Sequence, residues 1–142
     1  MADIVLHHYD ISPFAEKVRA VLGYKGLAWR SVNIPHIMPK PDLTALTGGY
    51  RRTPVMQIGA DVYCDTALIV RVLERIKPAP TLYPYGDTLA VDAMARWADG
   101  PLFNVTVPLA FQAEGIKQFF PNASPADLDA FRNDRAAMRQ GG

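Results

Sequence analysis

Cysteine is almost absent from this sequence: among 142 residues there is one, Cys64. A lone thiol excludes an internal disulfide, a Cys-x-x-Cys redox pair and a zinc site built on paired cysteines. A reducing, cytoplasmic setting is then the default expectation. Long apolar runs are missing too. No stretch approaches the length of a membrane span, and the opening MADIVLHHYD carries an acid and too short an apolar run for a signal peptide. Charge of one sign is lacking as well. Fifteen Lys and Arg stand against 14 Asp and Glu, a formal net charge of +1 with the basic residues scattered. Nothing in that distribution draws in nucleic acid or an anionic membrane. What is present is material for a core: 49% hydrophobic residues against 20% charged, in a chain the size of one domain or one small domain with part of another. No internal repeat or low-complexity tract is visible.

Hydrophobic spacing organises the first half. Ile4 to His8 alternates like a strand, and Pro13 to about Tyr24 has helical spacing closed by Lys25-Gly26. Ala28 to Ile34 reads as a second strand, and one helix between two strands predicts a right-handed crossover with parallel strands. Pro35 to Gly49 has room for one short helix around Asp42 to Leu46. Pro54 to Ile58 and Val62 to Cys64 flank Gly59-Ala60-Asp61 as a β-hairpin. Asp65 to Lys77 is a second amphipathic helix, apolar at Ile69, Val72, Leu73 and Ile76.

The stiff run PAPTLYPYG, Pro78 to Gly86, marks a domain boundary, and beyond it no strand pattern occurs. Thr88 to Asp99 is helical, and Gly100-Pro101 is expected to kink or end that helix. Pro108 to Phe120 is apolar without a clear period. Ser124-Pro125-Ala126-Asp127 is a capping box that opens a last helix with Leu128, Phe131 and Met138 inward. The expected division is a first domain over 1–78, a linker over 79–86 and a partial all-helical domain over 87–142.

Ser12-Pro13-Phe14 stands at the junction of the first strand and first helix. Proline suits the first helical position, where its missing N–H has no intrahelical partner to lose and its φ is already helical. Ser12 is thereby the N-cap, beside free backbone N–H groups and the positive end of the helix dipole. Such a corner favours an anion, although Ser-Pro at a helix start is also an ordinary cap.

Three segments carry a family resemblance. SPFAEKVRAVLGYKGLAW at 12–29 is close to the tau- and omega-type pattern around the first helix of the soluble glutathione transferases. TPVMQIG at 53–59 is similar to that family's Pro-Val strand opening, and CDTALIVRVLE at 64–74 resembles the acid–hydroxyl pair that begins its third helix. In order and at suitable spacing they cover most of residues 4–78. The resemblance implies an α/β thioredoxin-like N-terminal domain, βαβ-α-ββα with a four-stranded mixed sheet, followed by a partial all-α domain. It implies glutathione as substrate, a small electrophile as co-substrate, no metal, a role in detoxification by conjugation, and a homodimer joined through the third and fourth helices.

The resemblance also assigns residues. Glutathione must become a thiolate to attack an electrophile, and Ser12 is the aligned hydroxyl that donates to that sulfur. A hydrogen bond to a charged group contributes about 1.5–3 kcal/mol and a helix N-terminus about 0.3–1 kcal/mol. At about 1.4 kcal/mol per pKa unit, the two lower a thiol by about one to three units. Thr53-Pro54 is the cis-proline step, with Thr53 offering its backbone to the cysteinyl part of the tripeptide; a proline opening an edge strand is the plain alternative. Asp65 would pair with the γ-glutamyl ammonium while Thr66 and nearby N–H groups take its carboxylate; both also make an ordinary helix start. The family more often has Glu-Ser at that pair.

Other residues have plainer accounts. Tyr9 resembles the tyrosine used by the alpha, mu and pi classes and is the second choice for the catalytic hydroxyl. His7 and His8 alternate faces of a strand without metal-ligand partners. Arg51 and Arg52 read as solvated loop arginines within possible reach of the glycyl carboxylate. Cys64 reads as a small buried hydrophobe, and Trp97 and Phe103 as packing residues of the helical part. Only 56 residues follow Gly86, too few for the family's usual second domain, and the ending Arg-Gln-Gly-Gly reads as an interrupted helix terminus. The expected function is glutathione transfer to an electrophilic carbon. The alternative is a non-catalytic glutathione-binding or protein-interaction module of the same fold. A thiol–disulfide oxidoreductase is disfavoured, because position 12 is Ser and Cys64 is not at a helix start.

Overall fold

In the computed structural model, which describes residues 2–140, the opening alternation is strand β1, Ile4–His8, with Ile4, Leu6 and His8 buried. Its partner strands are β2 (Arg30–Asn33), β3 (Val55–Ile58) and β4 (Asp61–Cys64), in the sheet order β2-β1-β3-β4. β1 runs parallel to β2 and antiparallel to β3, and β3 and β4 form the hairpin. The mixed four-stranded sheet is therefore the thioredoxin-like arrangement that the sequence implied. β2 is shorter than the apolar pattern from Ala28 to Ile34. It is an exposed edge strand, while Trp29 packs against the core before it and Ile34 is buried after it.

Helix α1, Pro13–Tyr24, starts on Ser12 and ends in a glycine-dependent stop. Gly26 adopts φ +56°, and the Gly26 and Leu27 N–H groups return to the carbonyls of Gly23 and Leu22, closing the last turn. Helix α2, Pro41–Thr47, covers the other face of the sheet, and α3, Thr66–Ile76, packs beside α1. The period-two alternation of β3 explains the two clusters. Met56 joins Ile4, Leu6, Val18, Leu22, Ile69, Val72 and Leu73 in the main core, and Val55 joins Ile34 and Leu43 beneath α2.

Two lysines of this unit, Lys25 and Lys40, are buried. Lys25 is fully buried, its ammonium 2.5 Å from Glu74 and donating to the carbonyls of Lys77 and Pro80 at 2.7 and 2.9 Å. It ties the end of α1 to the end of α3 and to the chain leaving it.

The chain forms two compact units that divide at Pro80–Thr81, inside the proline-rich connector. The second, Thr81–Leu128, has helices as its only regular elements, as expected. It contains a 3-10 turn (Pro84–Gly86), α4 (Thr88–Trp97), α5 (Phe103–Ala110), α6 (Ala113–Phe119) and the beginning of α7 (Pro125–Gln140). Asp87 caps α4, its carboxylate accepting the Ala90 N–H at 2.9 Å. At Gly100-Pro101 the α-helical pattern is interrupted without the chain leaving the helix. A wide π turn over Ala98–Leu102 absorbs the missing proline N–H and leads into α5. Ser124 and Asp127 form the expected capping box: each accepts the other's backbone N–H.

From Asp129 onward the residues of α7 belong with the first unit, not with the helices before them. Composition gave no sign of this, because their contacts with the first unit include polar ones between residues 83 to 126 positions apart in sequence. The expected terminus at Gly141-Gly142 lies outside the described residues.

Candidate functional site

Sheet register brings the three singled-out segments to one end of the sheet. His7 pairs with Val55, and Val55 pairs with Cys64. The end of β1 therefore faces the residues just before β3, and these face the residues just after β4. Ser12, Thr53-Pro54 and Asp65-Thr66 follow or precede those strand ends by a few residues. Antiparallel pairing makes this convergence; the motifs are as many as 54 residues apart in sequence.

Ser12 is buried, with extended backbone, and its hydroxyl accepts the Ala15 N–H at 3.2 Å. The capping bond uses the oxygen as acceptor and leaves the hydroxyl proton available as a donor. Tyr9 lies beside it, its carbonyl accepting the Ser12 N–H at 3.2 Å. The Tyr9 phenol is engaged elsewhere: it accepts from Arg135 Nη2 at 3.0 Å, and its ring packs on His36 with centroids 4.7 Å apart.

The Thr53–Pro54 peptide is cis. Thr53 Oγ1 accepts from Lys40 Nζ at 3.3 Å, and the same ammonium donates to the Arg51 carbonyl and lies 5.5 Å over the Tyr9 ring. Lys40 is 3% exposed. Burial above all, then the nearby Arg135 guanidinium, lowers its pKa to about 8, against an opposing pull from Asp134. His36 is likewise held below the usual imidazole range by burial and then by Arg135 and Lys40.

Arg51 is not a solvated loop arginine. It pairs with Asp134, and its Nε is buried without a hydrogen-bond partner. Burial works against the Asp134 carboxylate, but the Met38 N–H and Arg51 outweigh it and hold the pKa below the usual range. Lys40, Asp134 and Arg135 escaped the sequence reading. Lys40 lies in a segment read as loop and short helix, and the other two are on a helix assigned to the second domain. The one available signal was a buried-charge cluster, which no periodicity reports.

Asp65 caps α3, its carboxylate accepting the Ala67 N–H at 2.8 Å. Its backbone sits at φ +80°, ψ +128°, a region that costs a non-glycine residue about 1–3 kcal/mol. An ordinary cap does not require that conformation. Thr66 is buried at the first turn of α3, and its hydroxyl accepts from Lys17 Nζ of α1 at 3.3 Å. Lys17 is a further cation that the sequence reading did not single out.

The remaining candidates have structural roles. Burial raises the Cys64 thiol pKa, which opposes nucleophilic use. Arg19 donates to His8 Nδ1 at 2.9 Å, which directs Nε2–H to Ser31 Oγ at 2.8 Å. Burial and then Arg19 hold this histidine below its usual pKa. Trp97 remains half exposed and lines an open apolar hollow with Ala90, Ala93 and Met94. Among the described residues no group of three or more His, Cys, Asp or Glu gathers as a metal site, and no helix is long and apolar enough to cross a membrane.

A four-stranded thioredoxin-like sheet followed by a helical part defines the class of fold. Residues 6–81 match the family described as glutathione S-transferase, N-terminal domain, and this chain belongs to that family. A GST-like protein from Pseudomonas syringae is 61% identical over 82% of the chain, with a TM-score of 0.75. A glutathione S-transferase from Rhodospirillum rubrum is 26% identical over 97%, with a TM-score of 0.69. A rice glutathione S-transferase in complex with glutathione is 25% identical over 69%, with a TM-score of 0.58. The chain spans 42%, 63% and 46% of those three proteins. No curated protein sequence matches it.

Proposed function

We propose that this chain binds glutathione and supports its transfer to a small electrophilic carbon, with Ser12 donating a hydrogen bond to the thiolate. The observation that carries this reading is the convergence of Ser12, Thr53-Pro54 and Asp65-Thr66 at one end of the sheet. Ser12 adds a buried hydroxyl with a free proton at the positive end of α1. The Thr53 backbone would hold the cysteinyl residue, and Thr66 with Lys17 would take the γ-glutamyl carboxylate while Asp65 meets its ammonium. Lys40 and Arg51, beside Thr53, supply positive charge for the other carboxylate of the tripeptide. Tyr9 is the weaker choice for the sulfur, since Ser12 and not Tyr9 stands at the N-terminus of α1. A cytoplasmic homodimer goes with this reading, supported by exposed Leu89, Val105 and Leu109 on α4 and α5.

Conjugation of glutathione to 1-chloro-2,4-dinitrobenzene, followed for wild type and Ser12→Ala, tests the catalytic part. Loss of a hydrogen bond to the thiolate predicts a fall in kcat/KM of about ten- to a hundredfold. It also predicts a rise in the apparent pKa of the bound thiol, read from its thiolate absorbance. A wild-type chain that binds glutathione by calorimetry yet shows no turnover would instead favour a non-catalytic module.

A further inference from the structure

Two adjacent side chains of α7 tie together Tyr9, His36, Met38 and Arg51. Asp134 accepts the Met38 N–H at 3.1 Å and pairs with Arg51. Arg135 donates to the Tyr9 hydroxyl at 3.0 Å and to the His36 carbonyl at 2.8 Å, and its Nη1 lies 2.7 Å from Asp134. The anchored atoms bracket Lys40 on both sides. Met38 and His36 precede it, Arg51 provides one of its two acceptors, and Tyr9 presents the ring beneath it. The Asp134 and Arg135 side chains are only 9% and 18% exposed, so their charges act across a poorly screened space.

We infer that the Asp134–Arg135 pair is a clasp: it positions the Lys40–Thr53 edge for glutathione and holds in place the groups that surround the Lys40 ammonium. Both are positioning residues and touch no reacting atom. The ligand half of the inference rests on the glutathione reading above; the half concerning Lys40 does not. The groups facing Lys40 are Arg135, Asp134, Arg51, His36 and Tyr9. Burial above all lowers its pKa to about 8; Arg135 also presses it down, Asp134 pulls it up and Arg51 presses it down. Lys40 is therefore charged below about pH 8 and loses its charge above, within the range where a glutathione thiol ionises.

The two members of the clasp act on Lys40 with opposite signs, and this separates positioning from plain support. Arg135→Met removes a cation and should move the Lys40 titration to higher pH. Asp134→Asn removes an anion and should move it to lower pH, each by on the order of one pH unit. The titration is read in the full chain from the 13Cε resonance of lysine, assigned with Lys40→Arg. Glutathione affinity is measured by calorimetry from pH 6 to 9.5, and thermal melts establish that each variant is folded. Wild-type affinity should fall as pH rises through the Lys40 titration, and the midpoint of that fall should move up in Arg135→Met and down in Asp134→Asn. Affinity at pH 7 should weaken about five- to tenfold in both. Arg135→Lys keeps the charge but not the fork, so it should restore the midpoint and not the full affinity.

Midpoints that stay at the wild-type value in folded variants would overturn the clasp, as would midpoints that move the same way in both. If wild type binds no glutathione, the binding reading fails. The lysine resonance still decides whether the pair governs Lys40: opposite shifts uphold that half and equal or absent shifts overturn it.

Discussion

The two units of this chain bury their side chains to opposite extents. The first gathers twelve buried apolar residues around a four-stranded sheet, and within that packing it holds a buried lysine, a strained Asp65 and a buried cation beside Thr53. The second, residues 81–128, has helix as its only regular structure, yet none of its side chains is buried. Leu89, Met94, Val105 and Leu109 are each more than 60% exposed. Helical periodicity alone therefore does not make a core; a helix stripe needs an opposing layer. The contrast also explains where the unusual chemistry sits. Desolvated charges persist only where surrounding packing over-determines them, and the first unit alone has such packing; the second unit's own positive-φ residue, Tyr85, lies in a fully exposed turn.

The largest test of that contrast is Glu74→Ala. It leaves the fully buried Lys25 ammonium with carbonyl partners only, and an uncompensated buried charge costs about 3–5 kcal/mol. Urea denaturation should show that loss as a lower midpoint with an unchanged slope. A cost below about 1 kcal/mol, the value of an exposed pair, would mean that Lys25 is solvated and the first unit less tightly packed than described.

How much of this was legible in the sequence follows from which interactions are periodic. β1, α1 and α3 were read almost to the residue, because their burial repeats every 2 or 3.6 positions and their ends carry Ser12-Pro13, Gly26 and Asp65. The capping box at Ser124 was equally plain, being a contact between near neighbours. The convergence of Ser12, Thr53 and Asp65 came from the family resemblance, and register then gave it a physical cause. Lys40, Asp134 and Arg135 were beyond reach. Asp134 and Arg135 are polar residues whose loop partners lie 83 to 126 positions away, and no spacing rule links Arg135 to Tyr9. The strain at Asp65 was hidden too, since its residue type suits a relaxed cap as well as a strained one.

Asp65→Gly tests that strain with a smaller effect. Glycine adopts positive φ without the penalty of a Cβ, so relief of about 1–3 kcal/mol opposes a lost cap worth a few tenths of a kcal/mol. The net expectation is a first unit stabilised by about 1 kcal/mol, together with weaker glutathione binding, because the carboxylate proposed to meet the γ-glutamyl ammonium is gone. Lower stability together with undiminished binding would identify Asp65 as an ordinary cap.

The smallest expected effect lies in the second unit. Val105→Ala and Leu109→Ala remove side chains that are 67% and 61% exposed, and substitutions at such positions stay within about 0.5 kcal/mol. The measurement is a denaturation curve for each variant at two protein concentrations. A null result at both concentrations upholds the contrast between a packed unit and an unlayered one. A loss of about 2 kcal/mol or more, the range for truncating a buried leucine, would place these side chains inside a core after all. Dependence of that loss on protein concentration would identify the opposing layer as a second copy of the chain, since only an intermolecular core is strengthened by mass action.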